Sequence, residues 1–203
     1  MATEAPVAVN TYIFLCDPDA KYYPETGNAI YNRQLPQLIK SRISKGEAFP
    51  IEWSCANTKT IQVGDKAYLM KTNEEPKGII ASGKVIAAPE EEQLRQSSPS
   101  FLDLSAAYTN TDGRNYSIRI ALDAVVDFDF PLEQRSLKNK PAFQGINFYF
   151  AGGGKRFAPG DPSAVQALSS EWESHCLILQ RKGRGRRLVD VFLEPTFRRL
   201  TND

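Results

Sequence analysis

Apolar and polar positions divide the chain into short β-type runs and two longer stretches of helical spacing. Residues 1–10 are small and polar, as in a flexible tail. Thr11–Cys16 (TYIFLC) is β-rich and is stopped by Asp17-Pro18-Asp19, a strong turn signal. A loop carrying Tyr22, Tyr23 and Tyr31 follows. Leu35, Leu38, Ile39 and Ile43 then recur at helical spacing within 34–43, and Lys45-Gly46 closes that helix. Two strands are predicted at 66–71 and 77–88, joined through Asn73-Glu74-Glu75-Pro76-Lys77-Gly78. Gly83 lies inside the second, where glycine marks a bulge or a close backbone approach.

Residues 90–114 read as a long surface connection, with a helical turn around Glu91 to Arg95. Tyr116 to Phe130 gives another strand and INFYF, 146–150, a short aromatic one, followed by Ala151-Gly152-Gly153-Gly154-Lys155. Asp161-Pro162 is a helix start, with Asp as the cap and Pro in the first turn. Val165, Leu168, Trp172 and Cys176 continue the period. In 177–193 two apolar runs flank RKGRGRR, a pattern that fits a hairpin with a basic tip or a fraying helix end. Six or so strands with two or three helices make an α+β, barrel-like domain over 11–178, with a basic hairpin or extension over 179–203.

Composition narrows the function more than the fold. A chain of 203 residues supports one core. With 25 basic against 24 acidic residues, any attraction to nucleic acid must come from a local patch. No apolar run approaches the roughly 20 residues of a membrane span, and MATEAPVAVN lacks a secretory pattern, so a cytoplasmic protein is expected. Cys16, Cys55 and Cys176 are widely spaced and His175 is the one histidine. Neither structural zinc nor a disulfide framework fits. A Cys–His pair would have to bring Cys16 or Cys55 to His175, because the adjacent Cys176 is poorly placed for one. The expectation is a binding module with no metal and no cofactor, not an enzyme.

Several residues suit a flat ligand with a charged backbone. Trp53 reads either as a core anchor or as a stacking wall beside Ser54 and Asn57, whose amide offers both a donor and an acceptor to a base edge. Tyr22 and Tyr23 read as a hydrophobic lid or as the opposite wall. Asp17 reads as a turn former or as an acceptor for an exocyclic amine. The 152–155 run lacks the GxxxxGK[ST] spacing of a nucleoside-triphosphate loop, leaving a flexible loop or a close backbone approach to a ligand. Arg181, Lys182, Arg184, Arg186 and Arg187 form an uninterrupted basic run, either a solvated face or a phosphate contact that Arg198 and Arg199 would extend. Lys59 and Lys155 are the other expected phosphate contacts.

The pattern W-S-x-x-N-T-K-x-I-x-x-G-D-x-x-Y-L, then P-K-G-I-I-A-S-G-x-V, covers Trp53 to Val85 and resembles the EVE-type domains of the PUA-like superfamily, in the form often fused to HNH nucleases. Weaker echoes lie at Phe14–Tyr23 and Phe148–Trp172. Cys16 stands where relatives commonly have Trp, and Phe148 with Gly152-Gly153 replaces a Trp and a Ser-Gly pair. The resemblance implies a PUA-like fold and a reader of modified bases. Such a reader holds a flipped base, typically a modified cytosine in DNA, in an aromatic cage and gives specificity to a restriction or other defence system. It adds Phe148 and Gly153 to the expected base contacts. One histidine cannot make an HNH site, so a nuclease or other effector would lie outside this sequence. RNA and protein partners remain the alternatives, because PUA-like barrels also serve RNA recognition.

Energetics limit what such a pocket reads. Flipping costs a few kcal/mol and stacking returns ~1–3 kcal/mol per base, so edge hydrogen bonds and phosphate contacts must supply the net affinity. One buried methyl adds ~0.8 kcal/mol, about fourfold in affinity.

Overall fold

In the computed structural model, which describes residues 9–22, 30–56, 58–91, 116–148 and 153–188, the TYIFLC run is strand β1 (Thr11–Cys16). Tyr12, Phe14 and Cys16 point to one face and Ile13 to the other, and all four are buried. Burial on both faces explains why this run is apolar without alternation. β1 runs parallel to β5 (Lys66–Lys71), in register from Thr11↔Lys66 to Cys16↔Lys71.

The turn before β5 is built by the Gly-Asp pair of the sequence motif. Gly64 takes φ +96°, a conformation suited to glycine. The buried Asp65 accepts from the Asn10 amide (2.9 Å) and from the Gln62 amide (2.8 Å), tying the start of β1 to the turn.

β5 pairs antiparallel with β6 (Gly78–Glu91), which pairs antiparallel with β7 (Tyr116–Val126). Gly83 does what its place in the pattern predicts. The β6–β7 register shifts between Ser82 and Gly83, and a Cβ there would lie 2.3 Å from the Ala121 carbonyl oxygen. The far edge of β7 is shared by β4 (Phe49–Ala56), opposite Tyr116–Leu122, and by β10 (Gly185–Arg187), opposite Ala124–Val126. β8 (Leu132–Glu133) continues along β6, and β9 (Lys155–Arg156) pairs with β1. Among the described residues these form one mixed sheet with the path β10-β7-β6-β5-β1-β9, while β2 (Lys21–Tyr22) and β3 (Ile30–Tyr31) make a separate small ribbon.

Helices cover the sheet. α1 (Leu35–Ile43) buries Leu35, Ile39 and Ile43 against the core near β7. α2 (Gln134–Lys138) follows β8. α3 (Pro162–Arg181) begins at Asp161, whose carboxylate accepts from the Ala164 amide at 3.0 Å. It docks through Trp172, whose indole N–H donates to Ser82 Oγ (2.9 Å) and whose ring meets Tyr68 edge-on at 6.2 Å. Ser82 in turn donates to Asp123 Oδ1 at 2.7 Å.

The architecture is the expected α+β, with differences in detail. β4 is an addition to the strands expected. The 116–130 strand stops at Val126, because 127–130 forms a turn closed by Phe130 N–H to the Asp127 carbonyl (2.9 Å). In the 146–150 run, residues 146–148 carry no strand, and 149–150 lie outside the described residues. Glu91 belongs to β6, and the rest of the expected helical turn, like residues 1–8, lies outside the described residues. Residues 177–179 continue α3 rather than forming a hairpin arm: Leu179 packs into the core at helical spacing from Cys176 and Trp172.

Candidate nucleic-acid interface

In β4, Ile51, Trp53 and Cys55 share the inward face by the two-residue period of a strand. Ile51 and Cys55 are fully buried, while Trp53, opposite Ile118, is half-buried and packs against the core from its margin. The chain turns after the strand, with Thr58 N–H donating to the Cys55 carbonyl at 3.0 Å.

Residues 58–60 then stitch the two ends of the sheet together. Thr58 Oγ1 donates to the Gly154 carbonyl at 2.7 Å, just before β9 at one edge. Tyr12 Oη lies 3.3 Å from both the carbonyl and the hydroxyl oxygen of Thr60. Strand pairing among the described residues does not close the sheet, so these side-chain bonds form the seam between β4 and β9. Gly154 is buried there, and a Cβ on it would lie 2.3 Å from Phe14 Cε1. The close approach expected of the glycine run is, at this residue, an approach to the protein's own phenylalanine.

Exposed cations sit on both sides of the seam. Lys59, one residue past Thr58, holds its ammonium 4.4 Å above the Tyr116 ring, an interaction worth ~0.5–1 kcal/mol at an exposed site. Tyr116 opposes Ala56 across β4–β7, and its carbonyl accepts from the Cys55 thiol at 3.3 Å. Lys155, one residue past Gly154, and Arg156 are both exposed on β9. The sequence reading missed Thr58, Tyr116 and Arg156. Thr58 stands between two expected residues, but nothing in a sequence pairs it with a carbonyl 96 positions away.

The other expected base contacts do not gather at this seam. Ser54 is half-buried but, as the residue after Trp53 in regular register, looks to the opposite face of β4, where Glu52 accepts from Ser117 Oγ (2.8 Å). Asp17 spends its carboxylate on the Asp19 amide (3.0 Å) and the Asn73 side-chain amide (2.7 Å), so it acts as the turn former. Phe148 is 1% exposed and packs with Phe143 (5.9 Å) and Phe157 (5.5 Å) in a core cluster, so its ring offers no free face to a ligand. Gly153 is half-buried immediately before the seam. Tyr22 lies in β2. Tyr23 and Asn57 lie outside the described residues, as do Arg198 and Arg199.

The basic run is also taken apart by the fold. Arg181 ends α3, Lys182 follows it, and both are exposed. Arg184 lies 4.0 Å from Asp127 Oδ2 and 5.2 Å over the Phe130 ring. Arg186 donates to the Gly185 carbonyl (3.1 Å), and Arg187 pairs with Glu173 at 3.0 Å. Arg186 and Arg187 oppose Val125 and Ala124 while Trp53 opposes Ile118, so the cations of β10 lie about 20 Å along β7 from the tryptophan.

Nucleophile chemistry has little footing here. Burial pushes the Cys176 thiol up to about 12. Burial, and secondarily the charge of Asp17, raises Cys16 further still. His175 places Nε2 2.9 Å from the Phe130 carbonyl and stacks on Trp172. Among the described residues no cluster of three or more His, Cys, Asp or Glu is placed to hold a metal ion. No helix there is long and apolar enough to cross a membrane.

No protein-family model matches the chain, and no curated protein sequence does. Solved structures similar to it include a protein from Pseudomonas syringae, with 13% identity, 78% of this chain and 98% of that one covered, and a TM-score of 0.49. A hypothetical protein from Leishmania major shares 12% identity over 82% of this chain and 98% of its own, with a TM-score of 0.47. The human THYN1 protein, solved in complex with 5-methylcytosine-containing DNA, shares 12% identity over 80% of this chain and 97% of its own, with a TM-score of 0.46.

Proposed function

We propose that this chain is a non-catalytic nucleic-acid-binding module that reads a modified base, a modified cytosine in DNA, at the seam between β4 and β9. In this reading it supplies specificity to a restriction or defence effector encoded elsewhere. The observation that carries it is Trp53. Its strand neighbours on the inward face are fully buried, yet Trp53 itself is only half-buried at the margin of the core, beside a loop with a cation on each side.

Trp53 supplies one stacking wall for a base turned out of its helix. Gly153, beside the seam, lets a backbone approach the ligand, and Lys59 and Lys155 engage the flanking phosphates. Arg181 and Lys182, with Arg184, Arg186 and Arg187, lie far enough along β7 to touch a separate stretch of nucleic-acid backbone. The resemblance of the sequence around Trp53 to EVE-type domains supports this ligand class. Asn57, Tyr22 and Tyr23 remain the proposed partners of the ring.

Binding measured on otherwise identical duplexes with and without 5-methylcytosine, and on single-stranded RNA, tests the reading. Wild-type protein prefers the modified duplex, and Trp53→Ala loses ~1–3 kcal/mol of that binding, about fivefold or more. Raising salt weakens all binding, and Lys59→Gln with Lys155→Gln lowers the slope of log K against log salt by about 0.9 for each phosphate left without its lysine. Equal affinity for every duplex, unchanged in Trp53→Ala, sinks the proposal. A preference for RNA transfers the site to an RNA ligand.

A further inference from the structure

The seam contains one bond that ties the strand of Trp53 to the glycine run. Thr58 is the node. Its backbone N–H is held by the carbonyl of Cys55, two residues past Trp53, and its hydroxyl is held by the carbonyl of Gly154. The far partner is closely packed, because the Gly154 backbone lies against the Phe14 ring. A second stitch, Tyr12 to Thr60, fixes the loop two residues on. Thr58 and Gly154 each immediately precede a lysine. The bond between them therefore keeps the Cα atoms of Lys59 and Lys155 at most about 15 Å apart, within the joint reach of two long side chains on one ligand.

We infer that Thr58 is a positioning residue for the proposed base-reading site, an inference that rests on that reading. Its hydroxyl sets the separation between the Trp53 wall and the Gly153–Lys155 run. The ligand this geometry serves is a nucleotide, with its base against Trp53 and its flanking phosphates between the two lysines. Thr58 touches neither in this arrangement. A gap held by one short hydrogen bond discriminates between bases differing by one substituent, because a loosened gap accepts both. A merely structural residue would instead affect stability, and affinity for all duplexes alike.

The test compares Thr58→Val, which keeps the shape and loses the donor, with Thr58→Ser, which keeps the donor. Each full-length variant is checked by its thermal midpoint and titrated with modified and unmodified duplexes at several salt concentrations. Thr58→Val is expected to lower the preference for the modified duplex about fivefold, the worth of one hydrogen bond. Its salt slope stays at the wild-type value, and Thr58→Ser recovers the preference. A folded Thr58→Val that keeps the wild-type preference overturns the inference, as does a serine variant that loses it equally. If Trp53→Ala abolishes the preference while Thr58→Val does not, only the role of Thr58 falls. If the wild-type protein shows no preference, the base-reading function falls and Thr58 with it.

Discussion

Three free thiols are buried in the core. Cys16, Cys55 and Cys176 are each no more than 1% exposed, and burial holds the Cys16 and Cys176 thiols in the neutral form. Native protein at pH 8 should react with iodoacetamide at none of the three, and denatured protein at all of them. A folded-state thiol pKa above its unfolded value contributes stability that is fully present below about pH 8.5 and is lost as pH rises beyond it. Denaturant midpoints should therefore fall between about pH 8.5 and 10, and less steeply in Cys176→Ala. At the residue scale the sequence says more about the fold than about the site. Most of the motif from Trp53 to Val85 holds the structure together: Gly64-Asp65 makes the turn into β5, Gly83 clears the Ala121 carbonyl, and Ser82 anchors Trp172. Asp17 and Phe148 are of residue types found in binding sites, but only their neighbours in space reveal that both are already engaged.

At the scale of elements, α3 is held to the sheet by a polar relay as well as by apolar packing. Ser82 is 1% exposed and is the acceptor for the Trp172 indole while donating to Asp123. Ser82→Ala leaves the indole N–H buried without a partner and should cost ~1–3 kcal/mol in urea unfolding, whereas Trp172→Phe in the Ser82→Ala background should cost less than the separate losses combined. The start of α3 was legible because Asp161-Pro162 is a local signal, and the structure places the carboxylate on the Ala164 amide. The carboxyl of Asp161 is held below its usual range by the Ser163 hydroxyl first and that amide second. The helix end was less legible, because leucines and isoleucine beside a basic run suit a hairpin arm as well as a last helical turn. β4 escaped notice although Ile51, Trp53 and Cys55 alternate with Glu52 and Ser54. Pro50 at its start interrupts the usual strand composition, and its pairing partner β7 begins 60 residues after β4 ends.

For the whole molecule, the sheet path explains why two candidate contact regions exist rather than one. β7 carries β4 along one part of its edge and β10 along the rest, so the tryptophan and the basic run share a strand while remaining far apart on it. No local pattern announces this, since it depends on register across strands distant in sequence. The same pairing has a consequence for handling the protein. β6 and β7 stay paired out to Glu91↔Tyr116, so the 92–115 segment leaves and returns at neighbouring points of the sheet. Replacing that segment with a two-residue Asn-Gly turn should preserve the fold, and the shorter closure should raise stability by about 2 kcal/mol in a denaturant titration. A large loss of stability would mean that 92–115 contributes to the core. The hairpin end is thus a splice point, where a reporter or a nuclease can be grafted while the seam is left untouched.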